Sequence, residues 1–466
     1  MKMKYLVCIG MVLVSLAVSA PAQTLSLREC IEIGLERNLA VRQKAEDVRL
    51  ADVTRSENRN KLLPVIQAFG SFTDNVHRGT TVTDGTGIGK LLGIDMQYSK
   101  TQGLQYVTQG GVQAQMPLYD QTLYIGLRIA DRMKEISENS LSLAREQLIV
   151  EIARLYYLAQ TTHEQTRLLE NDIRALETLD SITHALRSEG MVLAVDVKRI
   201  GLTLSTMRVQ RDNAQSSYEQ QLNLMRYVLD MSPEEPVEPA PLSSPEGDTI
   251  DLSSYRKTIE APSGAVGGAA SGLSSSLPEL QGLDLQLALN EQQHRQVRYG
   301  YLPTLSLVGN LSWANFTDKF HHYFHDHPSN HWYNTTYWGL QLSVPVFDRN
   351  VKRNAIRRLD IQADQLRLLQ ESMQKQLQTQ YLNGLCDYQN QQRTLRQQQA
   401  NYQLAREVYD VTADQYREGV TSMTTLLQDD MNRSTARTAY IGALYNYLVS
   451  ELTLLRLTGN LDALTK

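Results

Sequence analysis

Cysteine is scarce in this chain, which contains three in 466 residues. Cys8 lies in an apolar stretch at the amino terminus, so Cys30 and Cys386 are the two that can belong to the folded protein. Small secreted proteins that depend on disulfides carry several paired cysteines, which excludes this chain from that class. Both residues are expected to be buried thiols, and a structural disulfide between them is the alternative.

Strong charge and long apolar runs are missing too. The formal net charge is −5, which is modest for this length and gives no indication of a nucleic-acid partner. After residue 22, no segment reaches about 18 consecutive apolar residues, so no membrane-spanning helix is predicted.

The common catalytic motifs are also missing. The sequence has no nucleophile elbow, no P-loop, no GxGxxG motif after a strand and no HExxH motif. His163, His184 and His294 occur singly in helical segments, where surface or packed side chains are expected. The sequence therefore predicts neither an enzyme nor a bound cofactor.

The amino terminus has the pattern of an export signal. Lys2 and Lys4 precede an apolar run from Tyr5 to Val18, and the sequence Ala-Pro-Ala follows at residues 20–22. This order is typical of a secretory signal peptide. A transmembrane anchor is the alternative, but crossing about 30 Å of hydrocarbon takes about 20 apolar residues. We predict that residues 1–22 are a signal peptide and that the protein is exported.

The rest of the chain repeats one order of segments: a helix, two strands, a very long helix and a return helix. The first repeat is predicted at residues 23–232, with a β-hairpin at 64–118, a long helix at 120–188 and a return helix at 192–231. The second is predicted at residues 276–460, with a β-hairpin at 303–347, a long helix at 348–417 and a return helix at 420–458. Residues 233–275 are rich in Pro, Ser and Gly and are predicted to be a linker, and residues 461–466 are a C-terminal tail.

Local residue types explain this order. Pro64 and Pro303 disfavour helical geometry at the preceding residue and lack an N–H, so a helix ends there and a strand can begin. Asp120 and Asp348 are placed to cap the long helices, because a carboxylate accepts hydrogen bonds from the unpaired N–H groups of the first turn.

The two long helices indicate coiled-coil packing. Each has no proline, and each is followed by a glycine, Gly190 or Gly419, which can take the left-handed conformation that ends a helix. Apolar residues in the first helix keep the three-and-four spacing of a coiled-coil seam: Leu141, Leu148, Ile152, Leu155 and Ala159. At 1.5 Å per residue such helices are about 100 Å long, and a compact enzyme has no use for them.

The strands alternate apolar and polar residues. Leu305, Leu307 and Leu311 oppose Ser306 and Asn310, and the other strands follow the same rule. Segments of about ten residues with one apolar and one polar face are typical of a lipid-facing barrel with a water-filled interior. An ordinary half-buried sheet is the alternative. One group of aromatic residues is predicted to form an interfacial girdle: Trp313, Trp332, Tyr333, Tyr337 and Trp338.

Four strands are too few to close a barrel, which needs roughly eight. An open sheet edge is not tolerated in hydrocarbon, because its backbone groups would lack hydrogen-bond partners. Several copies of the chain must therefore pool their strands, and cyclic symmetry closes such a ring most simply. The sequence predicts an oligomer.

With this pattern, the chain resembles the TolC-like outer-membrane factor family over nearly its whole mature length. The resemblance rests on the duplicated order of helix, Leu-Pro, strands, the sequences PLYD and PVFD, long helix and glycine turn. It implies a mainly α fold with a small β part: long coiled-coil helices form a periplasmic α-barrel, and four strands per chain join a trimeric twelve-stranded transmembrane β-barrel. It also implies a homotrimer in the outer membrane with a long periplasmic extension, docked to a periplasmic adaptor (membrane fusion) protein. The inner-membrane partner would be a transporter of the resistance-nodulation-division or ABC type.

The resemblance also implies a gate at the helix turns, whose tips, at Gly190 and Gly419, contact the adaptor. Asp196 matches the acidic residue of the family's inter-helix lock, and Tyr416 matches its aromatic partner. The basic partner's position is occupied by Thr421, so Arg417 or Lys198 is the candidate substitute. The family's two lumen aspartates fall on the uncharged positions Thr425 and Gln428.

The neighbouring Asp429 and Asp430 offer carboxylates for a ring that would favour cations in the lumen. Solvated charges on an exposed helix face are the alternative.

A histidine-rich loop is the one metal-like cluster in the sequence. It contains His321, His322, His325, His327 and His331, and imidazoles at this density can bind Zn, Cu or Ni. A polar, aromatic-rich surface loop on the extracellular side is the favoured alternative, because no rigid element fixes the ligands.

Two functions follow from these observations. The favoured one is a passive outer-membrane channel, the exit duct of a tripartite efflux pump or a type I secretion system. The alternative is a soluble periplasmic coiled-coil adaptor or scaffold, although the chain lacks the compact β-rich domain that an adaptor requires.

Overall fold

The structure is a computed structural model that describes residues 24–84, 90, 93, 98–190, 192–242, 277–324 and 330–464. The proposed signal peptide, His325, His327 and most of the proposed linker lie outside these residues. The chain divides into two compact units. The turn-bearing unit comprises the described parts of residues 1–45, 140–280 and 372–466, and the sheet-bearing unit comprises those of 46–139 and 281–371.

The fold is mainly α-helical with a small β part, as predicted. The α-helices are α1 (Leu27–Arg37), α2 (Leu39–Asn60), α3 (Gln121–Ser188), α4 (Ala194–Leu229), α5 (Pro278–Tyr299), α6 (Val351–Arg417) and α7 (Met423–Leu457). The strands are β1 (Thr24–Leu25), β2 (Val65–Asp74), β3 (Thr80–Asp84), β4 (Tyr98–Gln102), β5 (Tyr106–Tyr119), β6 (Glu238–Pro239), β7 (Thr304–Thr317) and β8 (Trp332–Ser343). Short 3-10 helices lie at Phe320–Phe324 and Leu461–Leu464. Within the described residues, no helix combines the length and the apolar character needed to cross a bilayer.

The two long helices begin differently. Asp120 caps α3 as expected, because its Oδ1 accepts from the backbone N–H of Thr122 at 2.9 Å. Asp348 accepts from the N–H of Lys352 at 3.0 Å, but α6 begins at Val351, three residues after the predicted start. Arg349 and Asn350 cause the delay, because both adopt left-handed backbone conformations, with φ of 56° and 60°.

The sheet-bearing unit contains a four-stranded antiparallel sheet in the order β2-β5-β7-β8. The pairing places Ile66 opposite Ala114, Val112 opposite Leu311 and Leu307 opposite Leu340. Side chains alternate between the faces of a strand, so these pairs share one apolar face across all four strands. The other face carries the glutamines and serines of the strands, as the sequence predicted. A separate two-stranded ribbon, β3-β4, extends the first hairpin.

The turn-bearing unit has a continuous apolar core. Its most buried side chains come from α1, α3, α4 and α7: Ile31, Ile152, Met225, Leu229, Leu444 and Leu448. Burying one such side chain contributes about 1.5–3 kcal/mol. Helix α1 begins with a capping box, in which the Ser26 hydroxyl accepts from the N–H of Glu29 and the Glu29 carboxylate accepts from the N–H of Ser26.

The start of the proposed linker belongs to the same core. Strand β6 pairs in parallel with β1, and Val237 and Leu242 are buried. The Tyr156 hydroxyl joins this region to α3, because it donates to the carbonyl of Leu25 at 3.1 Å. Both mature cysteines are free thiols: Cys30 is buried, as predicted, whereas Cys386 is exposed, which corrects the expectation for that residue.

A buried carboxyl group lies in α7. Glu451 is 7% exposed and has no hydrogen-bond or ion-pair partner among the described residues. Burial raises the pKa of Glu451 to about 7. In the unfolded chain the carboxyl group of Glu451 is exposed and has an ordinary pKa. The contribution of Glu451 to the free energy of unfolding is therefore complete below pH 4.5 and is lost as the pH rises through about 7.

We expect the substitution Glu451→Gln to stabilise the protein at pH 8 by up to about 3 kcal/mol and to change little at pH 4. Thermal unfolding of both proteins across this pH range measures the difference. Glu407→Gln, which alters an exposed glutamate of α6, is the matched control and should give a difference that is small at every pH. A constant difference between the Glu451→Gln protein and the wild type would contradict the assignment.

Candidate functional site

The candidate site lies in the turn-bearing unit, where α3 turns into α4 and α6 turns into α7. Gly190 and Gly419 follow the long helices with φ of 79° and 75°, so both take the left-handed conformation expected of them. Ser422 caps α7, and its hydroxyl accepts from the N–H of Thr425 at 3.2 Å. Helix α4 begins after Leu193 with no side-chain cap.

An apolar layer lies close to the turns and packs all four helices together. Its fully buried members are Ile173, Leu176, Ile200, Leu204, Met207, Met423, Leu426 and Leu427, and Leu179, Tyr409, Ala413 and Tyr416 pack against them. Because α3 and α4 form one hairpin and α6 and α7 the other, this layer holds the two hairpins side by side.

A polar link joins the hairpins at the start of α4 and α7. The Arg199 guanidinium contacts the Asp196 carboxylate at 3.1 Å and donates to the Thr424 hydroxyl at 2.9 Å, in both cases from Nη1. Asp196 is thus tied to its neighbouring helix through Arg199. We call these three residues the tip link.

Tyr416 lies near the tip link. Burial raises the pKa of Tyr416, the side chain of Thr183 opposes this shift, and the negative charge of Asp196 adds to it. Asp196 and Tyr416, the two positions matched to the family's lock, are therefore close enough to interact electrostatically within one chain.

The basic member of the tip link is Arg199, and neither residue named from the sequence takes that role. Arg417 pairs instead with Asp414, at 2.7 Å, and Lys198 forms no ion pair with the described residues. Thr421 is half-buried and supplies no charge. Arg199 lies one turn after Asp196 on the same helix, which is the spacing at which side chains meet on a helix surface.

Further from the turns, a buried ion network crosses from α3 to α7. Asp172 binds Arg433 at 2.9 Å and also binds Arg437 through both of its carboxylate oxygens. Arg433 binds Asp430 at 2.7 Å and lies 4.0 Å from the centroid of the Tyr409 ring, a cation–π contact. Asp172, Asp430 and Arg437 are each less than 7% exposed. Two carboxylates and two guanidinium groups make this network electrically balanced.

Hydrogen bonding in the network is incomplete. Oδ2 of Asp430 and Nε of Arg433 have no hydrogen-bond partner in the part of the chain that the structure describes. Burial raises the pKa of Asp430, although Arg433 lowers it. A buried charge pair compensates its desolvation only when its geometry and remaining hydrogen bonds are good, so this network contributes more to helix alignment than to net stability.

The proposed lumen carboxylates do not behave alike. Asp430 is 2% exposed and faces the interior of its own chain, so its place in a lumen ring was predicted wrongly. The ion pair with Arg433 is the physical reason. Asp429 is half-exposed and accepts from the Thr412 hydroxyl at 2.8 Å, while Thr425 and Gln428 are exposed. Asp429 is the residue that could still supply a carboxylate.

Sequence reasoning missed Asp172, Arg433 and Arg437. One signal was available, because Asp430, Arg433 and Arg437 follow each other at three- and four-residue spacing on α7, which places them on one helix face. Their partner Asp172 is 261 residues from Arg433, and no local pattern connects the two helices.

The five aromatic residues of the predicted girdle do not form one band. In β8 the even-numbered residues lie on the apolar face with Leu340, whereas Tyr333 and Tyr337 lie on the polar face. Trp332 and Trp338 share the apolar face but are about 20 Å apart along the strand. Trp313, in β7, lies on the same apolar face. The alternation of side chains thus corrects the prediction for the two tyrosines.

The histidine-rich loop is described in part. The rings of His321 and His322 are 4.4 Å apart, Nδ1 of His322 lies 3.2 Å from the Thr317 hydroxyl, and His331 is exposed. His325 and His327 lie outside the described residues. In the part of the chain that the structure describes, no three His, Cys, Asp or Glu side chains are grouped to hold a metal ion.

Comparison with known proteins agrees with this architecture. Residues 272–460 match the family described as outer membrane efflux protein. The chain is 23% identical to the probable efflux pump outer membrane protein TtgC of Pseudomonas putida. The alignment spans 441 residues and covers 93% of this chain and 83% of that protein. Among solved structures, the outer-membrane channel OprN matches with a TM-score of 0.69 and 19% identity, over 93% of this chain and 90% of that one. The open state of the Neisseria gonorrhoeae MtrE outer membrane channel matches with a TM-score of 0.68 and 17% identity, over 94% and 90%.

We expect Arg437→Met to destabilise the turn-bearing unit by about 3–5 kcal/mol, because it leaves the buried Asp172 incompletely paired. Arg208→Met is the matched control, since Arg208 also reaches α3 from a neighbouring helix and binds Glu177 at 2.7 Å, but that pair is about half exposed. Its loss should cost less than about 1 kcal/mol. Hydrogen exchange of the α3 and α7 amides measures both effects. Equal protection in the two variants would show that the buried network has no special role.

Proposed function

We propose that this chain is the outer-membrane exit duct of a tripartite efflux pump or a type I secretion system. Its fold is that of the TolC-like outer-membrane channels, and residues 272–460 match the outer membrane efflux protein family. The observation that carries the proposal is the four-stranded sheet, which has one apolar face and two unpaired edges. The sheet belongs in a lipid bilayer only as part of a larger ring.

The apolar face supports contact with lipid. Trp338, Leu340 and Leu342 of β8 are 81%, 62% and 65% exposed, and Ile66 of β2 is 68% exposed. Soluble monomers rarely present a continuous apolar surface of this kind. A soluble periplasmic scaffold would need another element of the chain to cover this face, whereas a membrane channel exposes it to acyl chains.

The free edges support a ring of identical chains. Among the described strands, β2 and β8 each have one neighbour, so each carries unpaired N–H and C=O groups along its other side. Pairing β2 of one copy with β8 of the next satisfies both edges at once. Three copies would give a closed barrel of twelve strands, and we propose this homotrimer.

The tip link supplies a means of closing the duct at its periplasmic end. Arg199 and Thr424 hold α4 to α7 through a contact that is exposed to water. Breaking such a contact costs little free energy, because water replaces the lost hydrogen bond. The apolar layer and the buried network keep the two hairpins aligned. We propose that a periplasmic adaptor binds the turns around Gly190 and Gly419 and opens the duct by separating these helices, while an inner-membrane transporter drives export.

The proposed duct is a passive conduit without catalytic activity. TtgC is named as part of an efflux pump, and a related Pseudomonas putida protein, ArpC, is named as part of an antibiotic efflux pump. Efflux of small molecules is therefore the form of export that we favour for this chain over polypeptide secretion.

Membrane extraction tests the proposal against the soluble scaffold. We expect the protein to stay with the membrane in carbonate at high pH, to require detergent for release, and to have the mass of a trimer by light scattering. In planar bilayers the trimer should conduct ions. Release by carbonate, or a monomer in detergent, would overturn the proposed function.

The gate makes a separate prediction. We expect Arg199→Ala to raise single-channel conductance several-fold, because it removes the contacts to both Asp196 and Thr424. Arg208→Ala, which alters an exposed arginine on the same helix outside the tip link, is the matched control and should leave conductance unchanged. Equal conductance in the Arg199→Ala and Arg208→Ala proteins would exclude the tip link as a gate.

A further inference from the structure

The start of α6 carries an unusual density of positive charge. Between residues 348 and 360 there are five basic residues, Arg349, Lys352, Arg353, Arg357 and Arg358, against two aspartates. The basic groove lined by Arg349, Asn350, Arg353, Asn354, Arg357 and Asp360 has a volume of about 560 Å³. Arg353 and Arg357 are four residues apart on α6, so they lie on one side of the helix, and Arg349, which precedes the helix, lines the same groove.

These positive charges are poorly neutralised within the chain. Among the described residues, Arg349, Arg353, Arg357 and Arg358 form no ion pair, and all four are exposed. Lys352 lies 3.9 Å from Asp348 and 4.9 Å from the centroid of the Tyr301 ring. Asp360, the acidic member of the groove, lies 3.5 Å from Nε2 of His294. The basic groove is therefore open to an external anion.

An exposed apolar segment leads directly into this groove. Val346 and Phe347, which precede Asp348, are 92% and 78% exposed, and Val344 is also exposed. Val344 and Val346 follow the apolar residues of β8 at the same two-residue spacing, although the strand itself ends at Ser343, and Phe347 comes next in the chain. Along the chain, apolar strand residues give way to apolar loop residues and then to arginines, which is the order of polarity met on leaving hydrocarbon for the headgroup layer.

Tyrosines mark the same level of the sheet-bearing unit. Tyr119 ends β5, Tyr124 lies in the first turn of α3, Tyr299 ends α5, and Tyr301 lies between α5 and β7. All four are partly exposed. Tyrosine is enriched where a membrane protein passes from hydrocarbon to water, because its ring is apolar and its hydroxyl is hydrated. This end of the sheet, where the helices join it, therefore has the character of a membrane interface.

We propose that the basic groove at the start of α6 binds the phosphate groups of anionic phospholipids. This inference rests on the proposed function, which places the helices in the periplasm and this end of the sheet at the inner leaflet of the outer membrane. Guanidinium groups bind phosphate oxygens in a two-pronged geometry, and three of them lining one groove match a surface lined with headgroups. The adjoining apolar segment favours a lipid over an acidic peptide, because acyl chains would cover Val346 and Phe347 while the headgroup meets the arginines.

Native mass spectrometry of the detergent-extracted trimer tests the site. Phosphatidylglycerol and phosphatidylethanolamine are titrated separately, and inorganic phosphate is added as a competitor. We expect the wild type to retain phosphatidylglycerol at least about tenfold better than phosphatidylethanolamine, since each of the three arginines near an anionic headgroup contributes up to about a factor of five. Retention should weaken as ionic strength rises.

Three triple variants locate the effect. Arg349→Gln/Arg353→Gln/Arg357→Gln should lose the preference for phosphatidylglycerol, whereas Arg349→Lys/Arg353→Lys/Arg357→Lys should keep most of it. Arg367→Gln/Arg396→Gln/Arg406→Gln removes the same charge from exposed positions further along α6 and should behave as the wild type. If the first variant fails to assemble, the lysine variant and the salt dependence of the wild type decide the question.

Retention of phosphatidylglycerol by the groove variant at the level of the control would overturn the proposal. Displacement of the lipid by millimolar inorganic phosphate would also overturn it, because that result would identify a site for free phosphate. A protein that is monomeric, or that leaves the membrane in carbonate, would contradict the proposed function itself. A membrane-extracted trimer without lipid preference would defeat only the lipid site.

Discussion

In the proposed channel, the need to pair every backbone N–H and C=O group in a medium without water is the governing constraint. Within one chain the four-stranded sheet pairs its inner strands and leaves the outer sides of β2 and β8 open. Each unpaired backbone N–H or C=O group in hydrocarbon costs roughly several kcal/mol. A row of such groups therefore cannot be exposed to lipid. In the same proposal, the apolar face that spans all four strands faces this medium. The proposed oligomer, the proposed position of the membrane and the proposed role of the basic groove all follow from this one requirement.

Polar contacts in the turn-bearing unit divide into two kinds. The tip link is exposed and joins residues near the starts of α4 and α7, whereas Asp172, Asp430, Arg433 and Arg437 form a buried network. An exposed contact can be exchanged for water at little cost, but a buried one cannot lose a partner without leaving a desolvated charge. Helices held by both kinds can separate at the turns while remaining aligned further away.

Much of the fold could be predicted from the sequence because its signals are local. Proline, capping aspartate and glycine mark the helix ends, and strict alternation gives the faces of the sheet. The late start of α6 escaped prediction, because nothing in their residue types required Arg349 and Asn350 to be left-handed. The candidate site was less predictable: Arg199, rather than Lys198 or Arg417, binds Asp196, and Asp430 faces inward. These outcomes depend on contacts between helices that lie far apart in sequence.

The order of the strands has a further consequence for assembly. One edge, β2, comes from the first repeat and the other, β8, from the second, so the proposed contact between copies joins two different surfaces. Such a head-to-tail contact has no built-in stopping point, since each added copy presents the same free edge as the last. Strand pairing alone thus permits an open ribbon of any length. The number of chains must be set by curvature, through the twist of the strands and the angle at which each chain's helices meet the next.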